Sequence, residues 1–144
     1  MMYLDTNVIV YAIENHPKYG KASVAILNDI QKGVLIAGAS VLVLAELINV
    51  LKKLNTVLLK ENKKPLSIEK NIEAVLSLPV EWFELDLFTI KQASSYSYQI
   101  SGADYAHIAS MEVHSVREII SADKELDKVP FIHRLDPLDY SSIN

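Results

Sequence analysis

The stretch MMYLDTNVIVYAI, residues 1–13, decides how the fold begins. Residues 3 and 4 are typical of the end of a short strand, and the apolar run 8–13 is typical of a buried helix. Asp5 stands between these two elements, and no Lys or Arg precedes Lys18. Because an isolated carboxylate is costly to bury, Asp5 either caps the helix or faces a cation that this part of the sequence does not supply.

Beyond this stretch, short apolar runs alternate with amphipathic runs along most of the chain. They predict strands at residues 2–4, 34–37, 80–85, 118–121 and 131–133, and helices at residues 7–14, 18–32, 41–54, 67–77, 87–100 and 103–114. This alternation favours an α/β fold with a mostly parallel sheet and helices on both of its faces. A chain of 144 residues fits one domain, 1–144, in which the lysine-rich stretch 52–65 is the expected arm or insertion.

The composition excludes several kinds of site. The chain has no Cys, which excludes disulfides, thiolate catalysis and cysteine-ligated zinc and is compatible with a reducing cytoplasm. Its net charge of −4 gives no overall attraction for nucleic acid, so such a partner requires a local patch or a metal. No signal peptide or bilayer-spanning run is visible, and we expect a cytoplasmic protein with no membrane partner.

Four acids occupy places where a lone carboxylate is unusual. Asp5 and Asp123 each directly follow a predicted strand, and Glu46 and Asp104 lie in predicted helices with no Lys or Arg three or four residues away. In open parallel sheets, sites form beyond the carboxyl ends of the strands where the strand order reverses. If strands one and four are neighbours at that point, Asp5 and Asp123 converge there.

Clustered carboxylates repel one another, and each takes up a proton unless a cation is present. The available ligands are hard oxygens, without thiolates or an obvious imidazole cluster, which favours Mg²⁺ or Mn²⁺ over Zn²⁺. Such a metal activates water, holds a phosphate and stabilises the leaving oxygen. The pattern therefore indicates hydrolysis of a phosphodiester.

Each acid also has an ordinary interpretation. Asp5 can be a helix N-cap, and Glu46 a solvated helix residue. Asp104 can be a first-turn acid favoured by the helix dipole, and Asp123 can belong to the solvated run ADKELDK. Each acid is weak evidence by itself, and only the four acids together indicate a site.

The acids and their neighbours resemble the PIN-domain family, in particular its small VapC-type toxins. The segments LDTNVIVY, AELINVL, ADYAHIAS and SADKELD resemble, in order, four motifs of that family across nearly the whole chain. The resemblance implies a three-layer α/β/α sandwich and divalent-metal-dependent ribonuclease activity on an RNA substrate. It also implies a cognate antitoxin protein as a partner and a homodimer, since toxin members pair with an antitoxin and often dimerise.

The resemblance also assigns roles residue by residue. It makes an acidic catalytic quartet of Asp5, Glu46, Asp104 and Asp123. Among these, the implied ligands of Mg²⁺ or Mn²⁺ are Asp5, Asp104 and Asp123. The implied auxiliary residues are Thr6, Asn7, Ser121 and Asp127. One departure is Leu126, where the family commonly has an aromatic residue.

The densest basic patch lies in the stretch 52–65 and consists of Lys52, Lys53, Lys60, Lys63 and Lys64. These lysines are candidates for contact with an RNA backbone or with an acidic partner segment. The ordinary interpretation is a solvated helix or loop. The two histidines in the predicted helix 103–114, His107 and His114, are interpreted as packing or surface residues rather than ligands.

Other functions stay open at this stage. A PIN-like module can bind RNA or protein without cleavage, although the intact quartet argues against it, and an RNA-processing nuclease need not belong to a toxin pair. Phosphotransfer on Asp5 is disfavoured. A haloacid-dehalogenase-like phosphatase would have a second Asp where Asn7 stands, and a receiver domain would have paired acids where Thr6 follows Asp5.

Overall fold

A central parallel sheet organises the computed structural model, which describes residues 1–141. Its strands are β1 (Met2–Leu4), β2 (Ala37–Ser40), β3 (Val80–Phe83), β4 (Glu118–Ile120) and β5 (His133–Leu135). They form a five-stranded sheet in the order β3-β2-β1-β4-β5, and every pairing in it is parallel. The predicted mostly parallel sheet is therefore confirmed, and β1 and β4 are neighbours at its centre.

The helices connect these strands. They are α1 (Thr6–Ile13), α2 (Gly20–Gln31), α3 (Leu42–Lys60), α4 (Ile68–Leu76), α5 (Leu87–Ala93) and α6 (Asp104–Val113). Side-chain caps start three of them, because Asp5 accepts a hydrogen bond from the Thr6 amide, Ser67 from the Lys70 amide and Asp86 from the Thr89 amide. Short 3₁₀ turns follow at Lys124–Lys128 and Pro137–Asp139.

Two apolar cores lie on opposite faces of the sheet. Successive residues of a strand point to opposite faces, so Leu4 and Ile120 belong to one core while Tyr3 and Ile119 belong to the other. The first core also contains side chains of α1 to α4, and the second contains side chains of α6. This arrangement gives the three layers, α/β/α, that the family resemblance implies.

Several predicted boundaries differ from the structure. The second strand begins at residue 37 rather than 34, because the Asp29 carbonyl accepts hydrogen bonds from the Val34 and Leu35 amides and ties that segment to the end of α2. The last strand is His133–Leu135 rather than 131–133. Helix α5 ends at Ala93 rather than at residue 100, and the hydroxyls of Ser94 and Ser95 donate to helix carbonyls at its end.

The lysine-rich stretch 52–65 divides between the second half of α3 and the connection that leads to α4. The assignment of one domain to residues 1–144 stays a prediction, and residues 142–144 lie outside the described part. Among the described residues, no helix combines the length and the apolar character needed to cross a bilayer.

Gly38 in β2 makes a close contact that requires the absence of a side chain. A Cβ atom at this position would lie 2.8 Å from the Phe83 Cζ atom and 2.8 Å from the Met1 sulfur. The Phe83 ring cannot move freely, because it is buried and stacks on the His114 ring with centroids 4.0 Å apart. We expect Gly38→Ala to lower the free energy of unfolding by about 1–3 kcal/mol through overpacking.

Urea unfolding of Gly38→Ala, Phe83→Leu and the double variant measures this effect. Because Leu removes the clashing ring atoms, the double variant should lose less stability than the sum of the two single losses. Strict additivity would show that the Phe83 ring does not restrict position 38.

Candidate active site

The site lies at the carboxyl ends of the two central strands. The chain adds β2 and β3 on one side of β1, and β4 and β5 on the other, so the strand order reverses between β1 and β4. Leu4 is paired with Ile120, and the Asp5 amide donates a hydrogen bond to the Ile120 carbonyl at 3.2 Å. The acids that follow these strands therefore meet at one edge of the sheet.

A cleft of about 260 Å³ opens at this edge. All four members of the predicted quartet line it, together with two of the predicted auxiliary residues and three others. The lining residues are Asp5, Thr6, Asn7, Val10, Tyr11, Glu46, Val50, Asp104 and Asp123. The acids come from the end of β1, from α3, from the start of α6 and from the turn after β4.

Asp5 both caps a helix and faces the cleft. Its Oδ1 accepts a hydrogen bond from the Thr6 amide at 2.8 Å, and its Oδ2 accepts one from the Ser121 hydroxyl at 2.5 Å and one from the Asn7 side-chain amide at 3.3 Å. The residue is only 8% exposed, and this burial raises its pKa, against the opposing effects of His107 and of the hydrogen-bond donors. The two sequence interpretations of Asp5 are thus compatible.

Asn7 and Ser121 hold the turn that carries Asp123. The Asn7 side chain donates to the Ser121 hydroxyl at 3.1 Å and accepts from the Ala122 amide at 3.3 Å. The Ser121 hydroxyl in turn accepts from the Asp123 amide at 3.0 Å. These bonds connect the start of α1 to the turn after β4 and position Asp5 and Asp123 on the same side of the cleft.

Glu46 has a basic partner that the sequence did not reveal. Its Oε1 lies 2.5 Å from the His107 Nε2 and 2.9 Å from the Thr6 hydroxyl, which donates to it. Burial acts to raise the pKa of Glu46, but the hydrogen bond and charge of His107, with the bond from Thr6, lower it overall. Glu46 is therefore held as a carboxylate at the edge of the cleft.

His107 lies on α6, three residues after Asp104, and is only 2% exposed. Its Nδ1 lies 2.6 Å from the Tyr3 hydroxyl, which also accepts a hydrogen bond from the Ser40 amide at 3.0 Å. Burial acts to lower the pKa of His107, but the hydrogen bond and charge of Glu46 raise it overall. Both ring nitrogens are engaged, so His107 positions Glu46 and is not free to bind a metal.

A second unpredicted residue joins the acids. Asp104, Asp123 and Glu125 each offer a carboxylate oxygen, and these oxygens lie within 4.8 Å of one another. The Glu125 amide donates to Asp123 Oδ1 at 3.0 Å, and its carboxylate accepts from the Ser101 hydroxyl at 3.1 Å. Burial, followed by the charges of Asp5 and Asp123, raises the pKa of Asp104 to about 7.

The other predicted residues lie elsewhere. Asp127 is on the far part of the 3₁₀ turn and forms a two-pronged ion pair with Arg134, with N···O distances of 2.9 and 3.1 Å. Arg134 also donates to the Ser121 carbonyl at 2.9 Å, so it stabilises the turn from outside the cleft. The five lysines of the stretch 52–65 are exposed, and none of them lines the cleft.

The acidic cluster has the properties of a cation site. Hard oxygens converge there, and burial, followed by the charges of Asp5 and Asp123, raises the pKa of Asp104. No Lys or Arg lines the cleft in the described part of the chain. This donor set fits Mg²⁺ or Mn²⁺, with Asp5, Asp104 and Asp123 as the residues expected to hold it and Glu125 as an added candidate.

Comparisons with known proteins identify the family and the fold. The sequence model of the PIN domain matches residues 2–132. No curated protein sequence matches the chain at a significant level. Several solved structures match along almost their whole length, although all those described below are at most 20% identical to it.

The structure of Mycobacterium tuberculosis VapC20, a toxin that cleaves the sarcin–ricin loop, matches with a TM-score of 0.71 and 13% identity, over 92% of this chain and 97% of that one. VapBC2 from Rickettsia felis, bound to a DNA fragment from its promoter, matches with a TM-score of 0.67 and 20% identity, over 94% of this chain and 98% of that one. A toxin–antitoxin complex from Klebsiella pneumoniae matches with a TM-score of 0.65 and 14% identity, over 95% of this chain and 98% of that one. At these identities the likeness shows a shared fold.

The raised pKa of Asp104, caused by burial and then by the nearby acids, predicts how stability depends on pH without metal. Because folding raises the pKa of Asp104 to about 7, its contribution to stability is fully present below its unfolded value of about 4 and is lost as the pH rises through about 7. In EDTA, Asp104→Asn should therefore melt close to wild type near pH 4.5 and at a higher temperature than wild type near pH 8. Thermal melting at both pH values measures the difference.

Asp86→Asn is the matched control for this experiment. Asp86 caps α5, and its pKa is lowered mainly by the hydrogen bond from the Thr89 amide, so it stays ionised across this range and Asn preserves the cap. Its melting curve should move in parallel with wild type. Millimolar Mn²⁺ should then stabilise wild type more than Asp104→Asn. A pH-independent difference between Asp104→Asn and wild type would contradict the raised pKa of Asp104.

The Tyr3 hydroxyl should be important for stability although it lies outside the cleft. Tyr3→Phe leaves the buried Ser40 amide and His107 Nδ1 without their partner, and we expect a loss of about 1–3 kcal/mol in the free energy of unfolding. Chemical denaturation measures it. Tyr11→Phe is the control, since the Tyr11 hydroxyl has no hydrogen-bond partner within residues 1–141. An equal loss in both variants would refute the role given to Tyr3.

Proposed function

Since the chain belongs to the PIN domain family, we propose that it is a divalent-metal-dependent endoribonuclease that hydrolyses RNA phosphodiester bonds. The observation that carries the proposal is the convergence of Asp5, Asp104 and Asp123 from three separate elements on one cleft without a Lys or Arg in its described lining. Structural cores avoid such an arrangement because unpaired carboxylates oppose folding.

In this proposal a bound Mg²⁺ or Mn²⁺ would supply water activation and neutralise charge that develops on the phosphate. The chain's own residues supply the arrangement. Ser121, Asn7 and the Thr6 amide fix both oxygens of Asp5, so this carboxylate cannot rotate away from the cleft. The bonds from Asn7 and Ser121 extend the same rigidity to the turn that carries Asp123.

Glu46 has a different role from the other three acids. It is held as a carboxylate by His107 and Thr6, whereas Asp104 has a raised pKa, so the two side chains differ in their tendency to carry a proton. A carboxylate that is fixed at the edge of the cleft and stays ionised is suited to orient an attacking water by accepting a hydrogen bond from it, whereas its lowered pKa makes it a weak proton acceptor. We therefore assign Glu46 to water orientation and the aspartates to metal binding.

We expect cleavage of RNA to require both the metal and the aspartates. Wild type should cleave a labelled pool of single-stranded RNA with Mg²⁺ or Mn²⁺ and should be inactive in EDTA. Asp104→Asn should reduce the rate at least about a hundredfold, because a lost ligand removes several kcal/mol of transition-state stabilisation. Gel analysis of the labelled products measures both effects.

The control is Asp86→Asn, which removes the same charge outside the cleft and should cleave like wild type. Melting curves should first establish that both variants are folded. Equal cleavage by wild type in EDTA, or by Asp104→Asn with Mg²⁺, would rule out the metal-dependent mechanism. RNA that is bound but remains intact with either metal would instead support a PIN-like binding module.

We also propose that the chain is the toxin of a toxin–antitoxin pair. The support is that solved structures of this fold include toxin–antitoxin complexes from Klebsiella pneumoniae and Rickettsia felis. A short open reading frame directly upstream would favour this assignment, and its absence would favour an RNA-processing nuclease. The proposed compartment is the cytoplasm, in line with the absence of Cys.

The proposed homodimer has a candidate surface on α5. Leu87, Phe88 and Ile90 are 88%, 66% and 45% exposed, which is unusual for side chains of this size so close together. Next to them, a pocket of about 370 Å³ is lined in part by Ile90 and Tyr105. We propose that a second copy of the chain covers this surface.

A further inference from the structure

One face of α3 leads from the acidic cleft to a basic surface. Glu46 and Val50 line the cleft. With 3.6 residues per turn, Lys53, Val57 and Lys60 fall on the same face of the helix, each within about 40° of Glu46 around the axis. All three are exposed, as is Val50. We call the residues Val50, Lys53, Val57 and Lys60 the α3 strip.

The α3 strip extends well beyond the acids. With a rise of 1.5 Å per residue, Lys53 lies about 10 Å and Lys60 about 21 Å from Glu46 along the helix axis. The helix is continuous over this length, since α3 runs from Leu42 to Lys60. A polymer that passes through the cleft along α3 would therefore meet the two lysines in turn, with exposed valines between them.

The charges of the α3 strip are available to a ligand. Within residues 1–141, neither Lys53 nor Lys60 has a carboxylate within ion-pair distance, whereas Lys63 is paired with Glu61 at 3.1 Å. Lys52 is the neighbour of Lys53 in sequence, but one residue rotates the side chain by about 100°, so it points away from the strip. The lysines of the stretch 52–65 that belong to α3 thus lie on two different faces of the helix.

An anionic substrate needs such a surface. The cleft is lined by four acids and the chain has a net charge of −4, so RNA is repelled unless cations lie along its path. Single-stranded nucleic acids are commonly held by a basic track that follows the backbone. The α3 strip supplies two such cations, with exposed valines beside them.

We propose that the α3 strip binds the backbone of single-stranded RNA beside the cleft, with Lys53 and Lys60 on phosphates and Val50 and Val57 against the sugars. This proposal rests on RNA being the substrate. An acidic protein segment is the other polyanion that could fit the lysines. RNA is favoured because the strip shares one helix face with Glu46, so its ligand is continuous with whatever occupies the cleft.

The test is the salt dependence of RNA binding in the full chain. Fluorescence anisotropy of a labelled single-stranded RNA is measured with Mg²⁺ in the Asp104→Asn background, where the RNA stays intact. Between about 0.05 and 0.3 M KCl, removal of two phosphate contacts should lower the slope of log K against log salt by about 1.4. We therefore expect Lys53→Gln/Lys60→Gln to bind RNA roughly ten- to a hundredfold more weakly at the lowest salt.

Lys52→Gln/Lys70→Gln is the matched control, because it removes the same charge from exposed positions outside the strip. It should retain the slope of the parent. The single variants Lys53→Gln and Lys52→Gln compare adjacent residues on different faces of one helix, and only Lys53→Gln should flatten the slope. Circular dichroism confirms that α3 is intact in each variant.

Equal slopes for the strip variant and the control would overturn the proposal and return the lysines to a solvated surface. It would also be overturned if RNA binding were unchanged while binding of a labelled poly-glutamate peptide were lost, since the strip would then serve an acidic protein segment. The binding assay does not depend on cleavage. Loss of the slope in a protein that cleaves no RNA would therefore support the strip while the nuclease proposal failed.

Discussion

Electrostatic repulsion among carboxylates at one edge of the sheet is the constraint on which the rest of the structure depends. Asp5, Asp104 and Asp123 line one cleft, and burial, followed by the charges of the other two aspartates, raises the pKa of Asp104. The fold must therefore provide rigid supports that keep the charges together. It does so with donors that belong to the backbone or to neutral side chains, such as Asn7 and Ser121.

The supports come from both faces of the sheet. Glu46 belongs to α3 on one side, and His107 belongs to α6, which packs on the other, and the two meet above the carboxyl end of β1. Tyr3 connects this pair to the sheet itself through the Ser40 amide. The position of the acidic edge is thus set by strands and helices together, and a displacement of either helical layer would move Glu46.

The sequence predicted those parts of the site that depend on local order along the chain. Asp5 and Asp123 could be located because each follows a strand directly, and the alternation of strands and helices was sufficient for the parallel sheet. The pairing of His107 with Glu46 could not be predicted, because the two residues are 61 positions apart and helix spacing indicates only neighbours on the same helix. Glu125 approaches Asp104 only because a 3₁₀ turn closes after β4. The start of β2 was misplaced because the small residues of AGAS do not form the apolar run that typifies a buried strand.

The pairing of β1 with β4 has a consequence for folding during translation. Asp5 and Ser121 are in direct contact although 116 positions separate them, so the chain must be synthesised beyond β4 before the first strand finds its central neighbour. Until β1 pairs with β4, no structure holds Asp5 near Asp123. Any chemistry of this cleft therefore waits until the residues that follow β4 have been synthesised and folded.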